Sequence, residues 1–165
     1  MSVIQKTVYV ETTIPSFYYT LRDDPESVAR MHWTRQWWTE YAGLFSLATS
    51  AAVIDELRRG TSDRVEDRIA LLGCAMILPV TDDVVEIADV YIKQRVMPRD
   101  PEGDALHMAI ASYYKIDFLL TWNCKHLANA RKFQQLRVIN FELGLPMPVI
   151  ATPLNFGSSE VEKDD

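Results

Sequence analysis

Short runs of β-branched, aromatic and aliphatic residues alternate with longer segments whose apolar residues recur at three- and four-residue steps, and this alternation limits the possible folds more than any other feature. The runs are Thr7–Val10, Leu44–Ala48, Ala75–Val80, Asp117–Thr121 and Val138–Phe141. They read as strands, and the segments between them as helices. Strands that alternate with helices along a whole chain build a parallel sheet covered on both faces. The expected class is therefore α/β, a three-layer α/β/α sandwich around a mainly parallel sheet.

The helical segments carry their own punctuation. From Pro25 to Tyr41 the residues Val28, Met31, Trp33, Trp37, Trp38 and Tyr41 trace an amphipathic helix. Helical spacing alone accounts for the tryptophans as core or interface residues rather than a base-stacking platform. Thr49 or Ser50 can cap a helix containing Val53, Ile54 and Leu57 that Gly60 ends. Asp63 and Glu66 have capping-box spacing for a helix to Gly73, and Val84–Ile92 and Lys125–Leu136 are helical by pattern. Ala105–Tyr114 is apolar almost all round, which predicts a helix buried between layers, and the two prolines in Val96–Pro101 predict a loop before it.

With 165 residues the chain is long enough for one full core and short for two. The expected domain is 1–150, followed by a frayed acidic tail, 151–165. The net charge of −6 argues against a general nucleic-acid coat but not against a nuclease, because acids that gather cations make a chain more negative. Arg58, Arg59, Lys125, Arg131, Lys132 and Arg137 could supply a local basic rim. Neither a signal-like apolar run after Met1–Lys6 nor a stretch of about 20 apolar residues is present, so a cytoplasmic location with no membrane partner is expected. Cys74 and Cys124 lack metal-site spacing and read as reduced thiols, at least partly buried.

In an open parallel sheet, sites form where strands end. Glu11 ends the first strand, Glu56 lies in the helix after the second, Asp104 opens the apolar helix, and Asn123 follows the fourth strand. Singly, Glu11 could be a solvated strand end, Glu56 one acid of a surface helix, and Asp104 a partner of the positive helix end. Asp100 and Pro101, however, offer a cap and first helical residue, which sets Asp104 about a turn inside the helix, where an acid needs a partner. Gly103 beside it implies a close approach to the backbone. Two carboxylates about 5 Å apart repel by roughly 3 kcal/mol at an effective dielectric of about 20, so three converging acids call for a cation. Oxygen ligands suit Mg²⁺ or Mn²⁺ rather than zinc. Thr12, Ser50 and Thr121 could support such a site. His107, three residues after Asp104, could join a mixed Asp–His site, but a core or supporting role fits it better, as for His126. A flavodoxin-like or response-regulator domain also places acids at strand ends, but Glu11 does not readily replace a phosphoacceptor Asp.

The segments VYVETTIPSFYY, TSAAVIDELRRG, EGDALHMAIASYY and DFLLTWNCKHLANA, in that order, resemble the PIN domain, and within it the VapC-like toxins of prokaryotic toxin–antitoxin pairs. The likeness spans Thr7 to about Ala130. It implies the α/β/α sandwich, divalent-metal-dependent cleavage of RNA to 5′-phosphate and 3′-hydroxyl ends, homodimers and a small antitoxin partner. Glu11, Glu56 and Asp104 would be the metal carboxylates, with Asn123 as a fourth catalytic position. Two positions depart from the family pattern: Glu11 stands where Asp is usual, and Asn123 where a fourth Asp is frequent. The alternative is a catalytically weak or inactive PIN-fold module that binds RNA or a protein partner.

Overall fold

A computed structural model describes residues 5–94, 97, 103–123 and 130–156. The strands are β1 (Thr7–Val10), β2 (Ser46–Ser50), β3 (Met76–Leu78), β4 (Phe118–Leu120) and β5 (Val149–Ala151). They form one sheet in the order β3-β2-β1-β4-β5, with every pairing parallel. Flavodoxin-like domains order their strands 2-1-3-4-5, so the topology removes that alternative. The helices among the described residues are α1 (Thr13–Tyr18), α2 (Pro25–Glu40), α3 (Ala51–Arg59), α4 (Val65–Leu71), α5 (Asp82–Lys93), α6 (Asp104–Tyr113) and α7 (Ala130–Glu142). Helices α1, α2, α3 and α4 pack among themselves and α5 and α6 against each other, with α7 joined to them through Asn140; the usual right-handed crossover sets the two groups on opposite faces of the sheet, giving the expected three layers. No helix among the described residues is long and apolar enough to cross a membrane.

The register of β1 against β4 is locked at its start. The Thr7 N–H donates to Asp117 Oδ2 at 2.9 Å, and the Asp117 N–H donates to Thr7 Oγ1 at 3.0 Å. Both strand interiors are buried, and α6 packs over them with Met108, Ala109, Ile110 and Ala111 fully inaccessible. On that face Tyr91 of α5, Ser112 of α6 and Asn140 of α7 join in a buried polar cluster. The Tyr91 hydroxyl donates to Asn140 Oδ1 at 2.5 Å, and Asn140 Nδ2 donates to Ser112 Oγ at 3.0 Å.

Several expectations need correction. Val138–Phe141 is not the last strand but part of α7: Leu136, Ile139 and Asn140 are buried at helical spacing, while Phe141 is 85 % exposed. The last strand is β5, so a domain boundary at 150 cuts a strand. Residues 153–156 form a short 3-10 turn instead of fraying, and Phe156 packs on Phe45 and Phe118 with ring centroids 5.4 and 5.5 Å away; the tail from 157 lies outside the described residues. The capping box at Asp63 is absent, because α4 starts later, behind Arg64, which pairs with Asp67. Cys74 is exposed, in the turn leading to edge strand β3. In α2 the buried stripe is Ser27, Thr34 and Trp37, with Trp33 39 % exposed; Thr34 is inside because its Oγ1 accepts the Trp122 indole N–H at 2.8 Å. Cys124, Lys125, His126 and most of the Val96–Pro101 loop lie outside the described residues.

Candidate active site

The strand order reverses at β1, with β2 and β3 to one side and β4 and β5 to the other. Such a switch point opens a crevice at the carboxyl ends of the strands. Glu11 is the first residue beyond β1, and its N–H still donates to the Leu120 carbonyl of β4 at 3.2 Å. The side chain is only 5 % exposed. A carboxylate buried to that degree needs donors. Its Oε2 receives three: the Thr13 N–H at 3.0 Å, Thr13 Oγ1 at 2.5 Å and Thr121 Oγ1 at 2.8 Å. Among the described residues no donor engages Oε1.

Glu56 is carried by α3, which starts where Ser50 at the end of β2 accepts the Val53 N–H. Thr12 donates to Glu56 Oε2. His107 Nε2 lies 2.8 Å from Oε1, His107 Nδ1 lies 2.7 Å from the Tyr9 hydroxyl, and that hydroxyl lies 2.7 Å from Ser50 Oγ. A continuous hydrogen-bonded line thus runs from the α3 cap to Glu56. Burial pushes the Tyr9 phenol well above its ordinary pKa, against the Ser50 hydrogen bond and with help from the charges of Glu11 and Glu56, so it keeps its proton. For His107, burial opposes the charged imidazole, but the Glu56 hydrogen bond and the charges of Glu56, Glu11 and Asp104 outweigh it and raise the pKa.

Asp104 is the first residue of α6, not a turn inside it, because Gly103 takes the cap position with φ +78°. The close approach expected at Gly103 is real: a Cβ there would lie 3.0 Å from Glu56 Oε1. The Asn123 amide donates to both Asp104 oxygens, at 3.2 and 3.1 Å. Where a fourth acid would add repulsion, Asn123 instead offers a donor that steadies Asp104.

Glu11, Glu56, Asp104 and Asn123 line one cleft of about 330 Å³, together with Thr12, Thr13, Gly60 and Arg59. Among the described residues, the group of three with ligand atoms within 4.8 Å of one another is Glu11, Glu56 and His107. Asp104 borders the same cleft outside that group. The donor chemistry suits a hard divalent cation: the carboxylate oxygens of Glu11 and Glu56 lie close together, Asp104 borders the same cleft, and Glu11 Oε1 has no donor among the described residues. The supporting residues differ in role. Thr121 and Thr12 hold the carboxylates directly, whereas Ser50 reaches Glu56 only through Tyr9 and His107. Sequence reasoning overlooked Thr13 and Tyr9. Thr13 stands two residues past Glu11, where a hydroxyl readily turns back on its neighbour, and Tyr9 shares the strand face of Glu11 by its period of two.

No family model matches the chain, and no curated protein matches it. Solved structures do. VapC20 of Mycobacterium tuberculosis, described as a Sarcin–Ricin loop cleaving toxin, aligns with TM-score 0.57 at 18% identity, covering 74% of this chain and 95% of its own. VapBC-1 of nontypeable Haemophilus influenzae aligns with TM-score 0.57 at 13% identity over 90% of this chain and 98% of its own. A toxin–antitoxin complex of Klebsiella pneumoniae gives 0.56 at 16% identity, over 88% and 97%. The chain has a VapC-like PIN fold. Within this PIN fold the cleft occupies the switch point of the sheet, and its acids come from just beyond β1, from α3 and from α6.

Proposed function

We propose that the protein is a divalent-metal-dependent endoribonuclease, the toxin of a toxin–antitoxin pair. The observation that carries this reading is the convergence of Glu11, Glu56, Asp104 and Asn123 on one cleft of a VapC-like PIN fold. Glu11, Glu56 and Asp104 would hold one or two Mg²⁺ or Mn²⁺ ions, which when bound acidify water and neutralise charge on phosphate oxygens. Thr13 and Thr121 fix Glu11 through Oε2. Thr12 and His107 fix Glu56 from both sides. Asn123 orients Asp104, and Arg59 at the rim meets the charge of an RNA phosphate. The partners on this reading are an RNA substrate, a small antitoxin and a second copy of the chain, in the cytoplasm.

Cleavage of single-stranded RNA should require Mn²⁺ or Mg²⁺, stop on chelation and leave 5′-phosphate ends. Asp104→Asn should lower the rate by at least about a hundredfold, the scale of a lost charge-stabilising group, with an unchanged circular dichroism spectrum. A folded Asp104→Asn variant that cuts at the wild-type rate would refute the assignment. A binding module without cleavage is the second reading, favoured by the neutral Asn123 in place of a fourth acid; it predicts RNA binding with no metal-dependent cutting.

A further inference from the structure

We propose that the pocket between α1 and α4 is a phosphate subsite for the same RNA strand, next to the carboxylate cleft. It rests on the ribonuclease reading for the identity of the strand. The pocket, of about 490 Å³, is lined by Arg22 and Arg68, by the apolar Phe17 and Leu21, and by four hydroxyl residues, with no acid among the described lining residues. In a chain of net charge −6 that is an unusual local composition.

Arg30, Arg58 and Arg64 pair with Glu26, Glu66 and Asp67, whereas Arg22 and Arg68, like Arg35 and Arg59, form no ion pair among the described residues. Arg68 is held in place by donating through Nη2 to the Tyr19 carbonyl at 3.1 Å. Its Nε is buried with no hydrogen-bond partner among the described residues, an uncommon state for a buried donor. Burial, and after it the charge of the adjacent Arg64, lower its pKa. Arginine guanidinium groups beside the hydroxyl residues Thr20, Thr61 and Ser62 offer donors to the acceptor oxygens of a phosphodiester.

The pocket also adjoins the cleft along the chain. Gly60 lines the cleft and Thr61 lines the pocket. Ser16 Oγ donates to the carbonyl of Thr12, a cleft residue, at 2.8 Å. One helical turn, about 5.4 Å, separates Thr12 from Ser16, a step that neighbouring phosphates of a single strand can span.

The test is binding of a short fluorescent single-stranded RNA in EDTA, where no divalent ion supports cleavage, measured by anisotropy over a series of salt concentrations. Arg22→Ala should weaken binding several-fold at low salt and reduce the slope of log K against log salt by about 0.7, the value for one lost phosphate contact on a single strand. Because Arg68→Ala could disturb the fold through Tyr19, Arg68→Lys serves as the second variant; it keeps the charge, loses the fork and should weaken binding as well. Under cleavage conditions Arg22→Ala should raise KM and leave kcat unchanged. Unchanged affinity and slope in Arg22→Ala, or no RNA binding by the wild type, would overturn the subsite. Displacement of the RNA by a hexaglutamate peptide whose own binding is lost in Arg22→Ala would also overturn it, assigning the pocket to an acidic protein segment. RNA binding that depends on Arg22 without metal-dependent cleavage would refute the ribonuclease reading and leave the subsite standing.

Discussion

Gly103 connects backbone conformation to the chemistry of the cleft. Its φ of +78° is the left-handed region, and its missing Cβ leaves the space that Glu56 Oε1 occupies. An L-residue there loses about 1–2 kcal/mol from the backbone alone, and the new methyl would push Glu56 from His107. Gly103→Ala should therefore lower unfolding stability by about 1–2 kcal/mol in urea titrations; wild-type stability would show that the turn is relaxed. Glu11 answers a question posed by its type. Compared with Asp it is one methylene longer, and the structure absorbs that length by turning the carboxylate back onto Thr13 and Thr121. The acids were legible because Glu11 stands just past a strand, Glu56 lies on the helix that follows one, and Asp104 opens an almost wholly apolar helix. Their hydroxyl partners were only partly legible, since a threonine beside an acid is equally at home capping a turn.

At the scale of elements, helix caps give a pH signature. Asp24 caps α2 by accepting the Ser27 N–H at 3.0 Å, and that backbone bond, with the Ser27 side chain, lowers its pKa. Because the folded value lies below the unfolded one, the stabilisation is present above the pKa of an unfolded Asp and is lost as pH falls through the lowered folded value. Asp24→Asn should flatten that acid limb of the stability profile, measured by thermal melts between about pH 2 and pH 5; an unaltered limb would show that the cap is dispensable. Thr81, which accepts the Val84 N–H at 3.4 Å, caps α5, and Thr81→Ala should destabilise by about 1 kcal/mol. Most elements could be read from periodicity. The second half of α7 could not, because Val138–Phe141 has strand-like residues whose true neighbours, Leu136 and Ile139, are buried at helical spacing. β5 has only three residues and sits at a sheet edge, too short to carry a pattern of its own.

Across the whole molecule, the sheet order sets the function that can be built. Reversal at β1 brings the ends of β1 and β4 together with the second half of α3 and the start of α6, so acids far apart in sequence share one cleft. The C-terminal 3-10 turn closes the opposite region of the sheet, where Phe156 meets Trp37, Phe45 and Phe118. Phe156→Ala should lower stability by about 2–3 kcal/mol, less than a fully buried Phe would, and a loss below about 0.5 kcal/mol would place the turn outside the cooperative unit. Composition suggested a polar tail and hid this role, because the one aromatic that anchors it is surrounded by small and polar residues. The central claim is that the carboxylate cleft takes a divalent cation for RNA cleavage. Calorimetric titration of Mn²⁺ tests it most directly: saturable binding by the wild type that is lost in both Asp104→Asn and Glu11→Gln is the predicted result, and equal uptake by all three proteins, or none by the wild type, would contradict it.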